Sequence, residues 1–162
     1  MDTLSGVAML MAIEEICLLK ARRDRACDTK DWDLYLSLHA PDHVSENGDY
    51  GRWTTAAEMI VNVAKSMESL TTLHHSHTPE IDFDSATKAR GIWAMTGLSL
   101  WKQDGADHWF RAFGHYFETY EKRDGHWLFT SRALKYYHTM RSPGAIFPPP
   151  IDQPSQNEGA DT

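Results

Sequence analysis

The chain is short of cysteine, of positive charge and of long apolar runs, and each shortage removes a class of function. Only two cysteines occur in 162 residues, Cys17 and Cys27. On one helix, ten residues would separate them by about 15 Å of rise, too far for a disulfide. They read as reduced thiols of a cytoplasmic protein. Lysine and arginine number 16 against 23 aspartates and glutamates, a formal charge of −7. Phosphate contacts need a basic surface, so neither nucleic acid nor an anionic membrane is an expected partner. The one basic run, residues 20–25, is broken by Asp24 and reads as the solvated side of a helix. The apolar stretch 6–13 is too short to span a bilayer. It follows Asp2 rather than a basic segment and no cleavage site comes after it, so no signal peptide is expected. Also missing are a Gly-x-Ser-x-Gly elbow, a Gly-rich phosphate loop, a dinucleotide fingerprint and an internal repeat.

What remains is the composition of one soluble globular domain, 41% apolar and 24% charged. Residues 4–28 read as a long helix. Ile13, Ile16, Cys17, Lys20, Asp24, Cys27 and Asp28 fall on one broad stripe at 3.6-residue spacing. Thr29, Lys30 and Asp31 break the pattern and cap a second helix whose apolar side is marked by Trp32, Tyr35, Leu36 and His39, with residues 40–42 ending it. Residues 43–46 form a short strand and Asn47–Gly48 a turn. Thr55 and Glu58 make a capping box for a third helix reaching Met67. Four long strands follow, over 71–83, 88–102, 108–122 and 126–140, with a hairpin turn at 123–125. The order α-α-β-α and then β throughout predicts an α+β fold, a curved antiparallel sheet wrapped around N-terminal helices as a cone-shaped barrel with a pocket inside. The domain is expected over 1–141. Residues 142–162, with five prolines, are expected to form an extended tail.

Residues 71–83 hold three of the nine histidines. On a strand, His75 and His77 share one face while His74 and Ser76 share the other. Imidazole titrates near neutral pH, so a histidine inside a pocket is a natural proton acceptor. An acid on the first helix would orient it, and Asp24 and Asp28 both qualify by periodicity. On the last strand Arg132, Leu134, Tyr136 and His138 share a face. On the strand before it Ala112, Gly114, Tyr116 and Glu118 do, and the small residues either leave room for a ligand or mark close backbone packing. A rival reading joins His75 and His77 with Glu80 in a metal site; the expectation is that no metal is held.

Three stretches carry a resemblance to a known family. They are residues 16–42, with Ala26-Cys27-Asp28 and Asp31-Trp32 inside; Thr72-Leu73-His74 followed by residues 84–88; and residues 118–132, with Ile146-Phe147-Pro148-Pro149 after them. The chain resembles the SnoaL-like branch of the nuclear transport factor 2-like superfamily, and within it hexachlorocyclohexane dehydrochlorinase, scytalone dehydratase and bile acid 7α-dehydratase. The resemblance places the His-Asp dyad on His74 and Asp28, the pocket arginine on Arg132, a pocket lysine on Arg23 and a pocket phenylalanine on Tyr116. Tyr136, on the Arg132 face, completes the substrate-binding set. The resemblance implies a cofactor-free lyase acting on a small hydrophobic cyclic molecule, as a homodimer or homotrimer with the sheet faces carrying His75, His77, Phe113 and His115 as the candidate interface. An isomerase using the same dyad, or a binding module without activity, are the alternatives. Cys27 stands where scytalone dehydratase has a tyrosine, and Leu98 where it has a second histidine. The arginine and tyrosine changes point away from a chlorinated substrate and towards hydroxide as leaving group.

Overall fold

A computed structural model describes residues 6–47 and 51–149. Leu4, Gly48 and tail residues 150–162 lie outside the described residues. The chain runs α1 (Gly6–Asp28), α2 (Trp32–Ser37), β1 (His39–Glu46), β2 (Arg52–Trp53), α3 (Ala56–Met67), β3 (Thr71–Ser85), β4 (Lys88–Gln103), β5 (Ala106–Arg123) and β6 (His126–Arg141). The six strands form one curved sheet in the order β2-β1-β6-β5-β4-β3, with the helices on its concave side. All pairs are antiparallel except β1 with β6, which is parallel. No helix among the described residues is long and apolar enough to cross a membrane.

The local signals act as their chemistry dictates. Asp31 caps α2 by accepting from Leu34 N at 3.1 Å. Thr55 caps α3 by accepting from Glu58 N at 3.1 Å. Glu58 reaches back to Thr54 N, one residue before the cap, at 3.0 Å. Asp124 and Gly125, both at positive φ, make the two-residue turn between β5 and β6, and Asp104 and Gly105 repeat it between β4 and β5. The broad loop expected over 103–107 is therefore a tight hairpin.

Three expectations are corrected. His39 and residues 40–42 belong to β1, not to the end of α2. Phe129 N bonds Leu38 O at 3.0 Å and draws the chain into the sheet, while Pro41, which has no N–H, sits in the register break between His39 and Val44. The basic run is not all solvated: Arg22 and Arg25 are exposed, but Lys20 and Arg23 are buried. Finally, Arg132, Leu134, Tyr136 and His138 do not share one face. Phe113 pairs with His138 and Gly114 with Tyr136, so Tyr137 is an extra residue that reverses the alternation. His138 turns outward and stacks on Phe113, centroids 6.3 Å apart. Gly114 is needed at this bulge, since a Cβ there would collide with the carbonyl oxygen of Lys135.

Between α2 and the sheet lie two buried histidines. His39 Nδ1 is 2.7 Å from Tyr35 O and His43 Nδ1 is 3.2 Å from Phe129 O. Each carbonyl accepts, so each ring donates from Nδ1. Burial holds both below the usual imidazole range, His43 at about 4. The unfolded chain takes up these protons near pH 6.5, and the native chain refuses them until a lower pH. Stability is therefore lost as pH falls from about 6.5 towards 4. Urea denaturation at steps between pH 7 and pH 4 is expected to show it, with His43 alone accounting for roughly 3 kcal/mol. His43→Asn, which keeps a donor near Nδ1 but does not titrate, should flatten that slope; an unchanged slope would refute the assignment.

Candidate active site

The last turn of α1 lies against β3, the edge strand of the sheet. There the Asp28 carboxylate gathers three hydrogen bonds. His74 N donates to Oδ2 at 2.9 Å, Thr72 Oγ1 to Oδ1 at 2.9 Å, and His74 Nδ1 to Oδ1 at 2.6 Å. Because the carboxylate accepts, Nδ1 carries a proton, and in the neutral ring Nε2 is then the nitrogen with the free lone pair. Both side chains are mostly covered, at 14% and 19% exposure. Burial acts to raise the Asp28 carboxyl, but the His74 and Thr72 hydrogen bonds override it and hold the group below the usual range.

Strand alternation explains the choice of histidine. Thr72, His74 and Ser76 face α1, while His75 and His77 point outward and are exposed. Asp24, the other periodic candidate, is engaged elsewhere: it accepts from Ser76 Oγ at 2.6 Å and from Arg23 at 3.0 Å. Burial would raise its carboxyl too, yet Lys20 and Arg23 keep it ionised.

His74 lines a cavity of about 370 Å³ between the helices and the concave face of the sheet, and Asp28 stands behind it. That volume lies at the small end of the roughly 300–1,000 Å³ typical of ligand pockets. Arg23, Tyr116, Arg132 and Tyr136 line the same cavity, so every residue expected to bind substrate meets His74 there. Ala112 leaves room in the wall, whereas Gly114 serves the bulge. Cys27, Tyr35, Phe110 and Phe147 also line it, and sequence reasoning assigned them no role. Phe147 lies flat on Phe110, centroids 4.0 Å apart. The signals were the place of Cys27 on the α1 stripe and at the position of scytalone dehydratase's tyrosine, that of Tyr35 on the apolar side of α2, and that of Phe147 in a stretch that carries the family resemblance.

The wall behind the cavity is strongly charged. Lys20 Nζ donates to Glu118 Oε1 at 2.5 Å, and both side chains are all but inaccessible. Tyr120 OH donates to Glu118 Oε2 at 2.6 Å and accepts from Trp93 Nε1 at 2.7 Å. Lys20 Nζ and the Arg132 guanidinium lie 3.9 and 4.2 Å from the Tyr116 ring centre. Arg23 donates to Tyr35 OH at 2.6 Å. Burial lowers Lys20 to about 8 against the pull of Glu118. Three buried cations, Lys20, Arg23 and Arg132, thus accompany two buried carboxylates, Asp24 and Glu118.

His75 and His77 do not join Glu80 in a cluster of three close ligand atoms. Among the described residues, the group with metal-compatible donors is Cys27, Asp28 and His74, whose atoms lie within 4.8 Å of one another.

Removing Lys20 alone strands a buried carboxylate. Lys20→Met is expected to cost about 3–5 kcal/mol. The double variant Lys20→Met/Glu118→Gln should cost clearly less than the sum of its parts, read by denaturant unfolding. Additive costs would show that the pair is not coupled.

Residues 8–133 match the family model of the SnoaL-like domain. Among solved structures, the chain is similar to a hexachlorocyclohexane dehydrochlorinase of type 2, with a TM-score of 0.78 and 20% identity over 90% of this chain and 99% of that one. It is similar to the type 3 enzyme from Novosphingobium barchaimii LL02, with a TM-score of 0.72 and 21% identity over 90% and 100%. A protein from Novosphingobium aromaticivorans DSM 12444, provisionally named a scytalone dehydratase, gives 0.75 and 21% over 82% and 89%. At such identities the likeness is one of fold, whereas the family model spans most of the sequence: the chain belongs to the SnoaL-like domain family.

Proposed function

We propose that the protein is a cofactor-independent lyase that eliminates water from a small, hydrophobic, cyclic hydroxy-carbonyl compound. The observation that carries this reading is the 2.6 Å contact between His74 Nδ1 and Asp28, on a ring that lines a ligand-sized cavity. Asp28 holds the imidazole in one tautomer, and Nε2 faces the chemistry as a base. Nε2 takes a proton from the carbon next to the carbonyl. The C–H electron pair becomes the new C=C bond, the C–O bond on the neighbouring carbon breaks, and the His74 imidazolium returns the proton to the departing hydroxide, which leaves as water. Asp28 stabilises the imidazolium that results.

Negative charge grows on the carbonyl oxygen during this step. Arg23 and Arg132 in the cavity wall stabilise it, at no reorganisation cost because their partners already fix them. Burial pushes the Tyr116 hydroxyl up, so it stays protonated and can donate to the carbonyl or the leaving oxygen. Met95, Phe110 and Leu134 supply the apolar wall that favours a ring compound. The names of the structural relatives, a dehydrochlorinase and a scytalone dehydratase, are those of elimination enzymes and support the reaction class. The same base can also return its proton to a different carbon, which is isomerisation.

The test is a panel of cyclic β-hydroxy ketones in deuterated water, followed by NMR for C–H exchange, loss of water or double-bond movement. His74→Gln is expected to lower turnover by about 10²–10⁴-fold. Asp28→Asn should lower it too, with circular dichroism unchanged in both. Unaltered rates in both variants would sink the dyad. Ligand binding of equal strength in wild type and His74→Gln, with no exchange in either, would favour a binding module instead.

A further inference from the structure

We infer that Cys27, Asp28 and His74 form a binding site for one thiophilic divalent cation of the zinc type, and that its occupancy silences the His74 base. The second half rests on the lyase reading; the first does not. Cys27 and Asp28 are neighbours on the last turn of α1, and His74 faces them from β3. One sulfur, one carboxylate oxygen and one ring nitrogen lie within 4.8 Å of one another. Zinc bonds of roughly 2.0–2.3 Å in a tetrahedron bring ligand atoms to about 3.3–3.7 Å of each other, so shifts of about 1 Å form the site, inward for the widest pair and, where Nδ1 is the ligand, outward for Nδ1 and Asp28 Oδ1, which stand 2.6 Å apart. Thiolate, imidazole and carboxylate together select zinc or cadmium over magnesium and calcium, which prefer oxygen alone.

The site reaches solvent through the cavity. Cys27 and His74 both line it, so the fourth coordination position can face it and hold water. Asp28 is anchored by Thr72 Oγ1 and by the His74 backbone N–H, contacts that hold the carboxylate while one oxygen turns to the metal. Either ring nitrogen disables the dyad on binding. Coordination by Nε2 uses the lone pair that would accept the carbon-bound proton. Coordination by Nδ1 displaces the proton shared with Asp28 and ends the contact that orients the ring.

Cys27 is what makes this possible, since without a thiol the His-Asp pair offers only two donors. Exposed His75 and His77, with ring centres 6.0 Å apart, can collect zinc at the surface on their own. The readout must therefore report the sulfur.

The experiment titrates the reduced full-length chain with cadmium and follows the thiolate-to-cadmium charge-transfer absorption. Wild type and Cys17→Ser are expected to show the band at one cadmium per chain. Cys27→Ser and Cys27→Ala should lack it, and His74→Ala should keep it with affinity at least about tenfold weaker. The inference is overturned if saturating cadmium gives wild type no band, or if the band disappears in Cys17→Ser and survives in both Cys27 variants. Circular dichroism of the two Cys27 variants is the control that they are folded. Zinc should then stop turnover in the elimination assay in wild type, reversibly by chelator, and far less in Cys27→Ser. Binding at Cys27 with turnover untouched would uphold the site and overturn His74 as the base.

Discussion

The structure depends on one carboxylate. Asp28 ends α1 and bonds Thr72 and His74 of β3 through both of its oxygens. β3 is the last strand of the sheet and has a partner, β4, on one side only. Its other edge would present unpaired N–H groups to solvent, which sheet proteins avoid. Here the helix supplies an acceptor to one of those groups, the His74 backbone N–H, and the same carboxylate takes the His74 ring. One residue therefore closes the sheet edge, fixes where α1 lies across it and sets the tautomer of an imidazole that faces a cavity. Ser76 with Asp24, one helical turn earlier, repeats the arrangement and prevents sliding.

Behind this joint the molecule accepts a cost. Burying Lys20, Arg23, Arg132, Asp24 and Glu118 removes five charges from water, and such pairs often contribute nothing net to stability. What they contribute is direction. Glu118 has its oxygens engaged by Lys20 and Tyr120, and Arg23 is held by Asp24 and Tyr35. Cations fixed in this way present a positive wall that need not reorganise when a negative charge develops in front of it. A hydrophobic core of the same volume would pack as well and offer the cavity no such field.

How much of this was legible depended on the range of each cause. Period-two alternation is local, so His74 and His75 could be assigned to opposite faces from sequence, and the capping residues Asp31 and Thr55 act within their own helices. The burial of Lys20 was hidden because its partner, Glu118, is 98 residues away and only the folded sheet brings it there. The reversal of His138 was hidden for a related reason. A bulge at Tyr137 depends on how two strands register, with Gly114 on the other strand permitting it. The β1 boundary failed because a parallel pairing with β6, set by the Leu38–Phe129 hydrogen bond, outweighed the helical pattern around His39. Choosing Asp28 over Asp24 needed the family resemblance, because periodicity put both on the same stripe. The thiol of Cys27 offered no periodic signal beyond that stripe and acquires chemical meaning only beside His74.

The positive wall also explains the two buried histidines on its far side. His39 packs on Tyr35 and Phe129, with ring centres 4.8 and 5.1 Å apart, and meets His43 edge-on at 4.7 Å. Burial opposes their protonation first, and the charges of Arg23 and Arg132 oppose it further. At neutral pH the rings are uncharged spacers that fill space between α2 and β6 without adding to a wall already in cationic excess. Aliphatic side chains could fill the space, but they would leave the Tyr35 and Phe129 carbonyls without the donors His39 and His43 supply. Acid lability thus comes mainly from burial, and the field around the cavity adds to it. Arginines held beside the pocket make the buried imidazoles still less tolerant of protons, so the conditions that would charge them weaken the fold that holds the arginines in place.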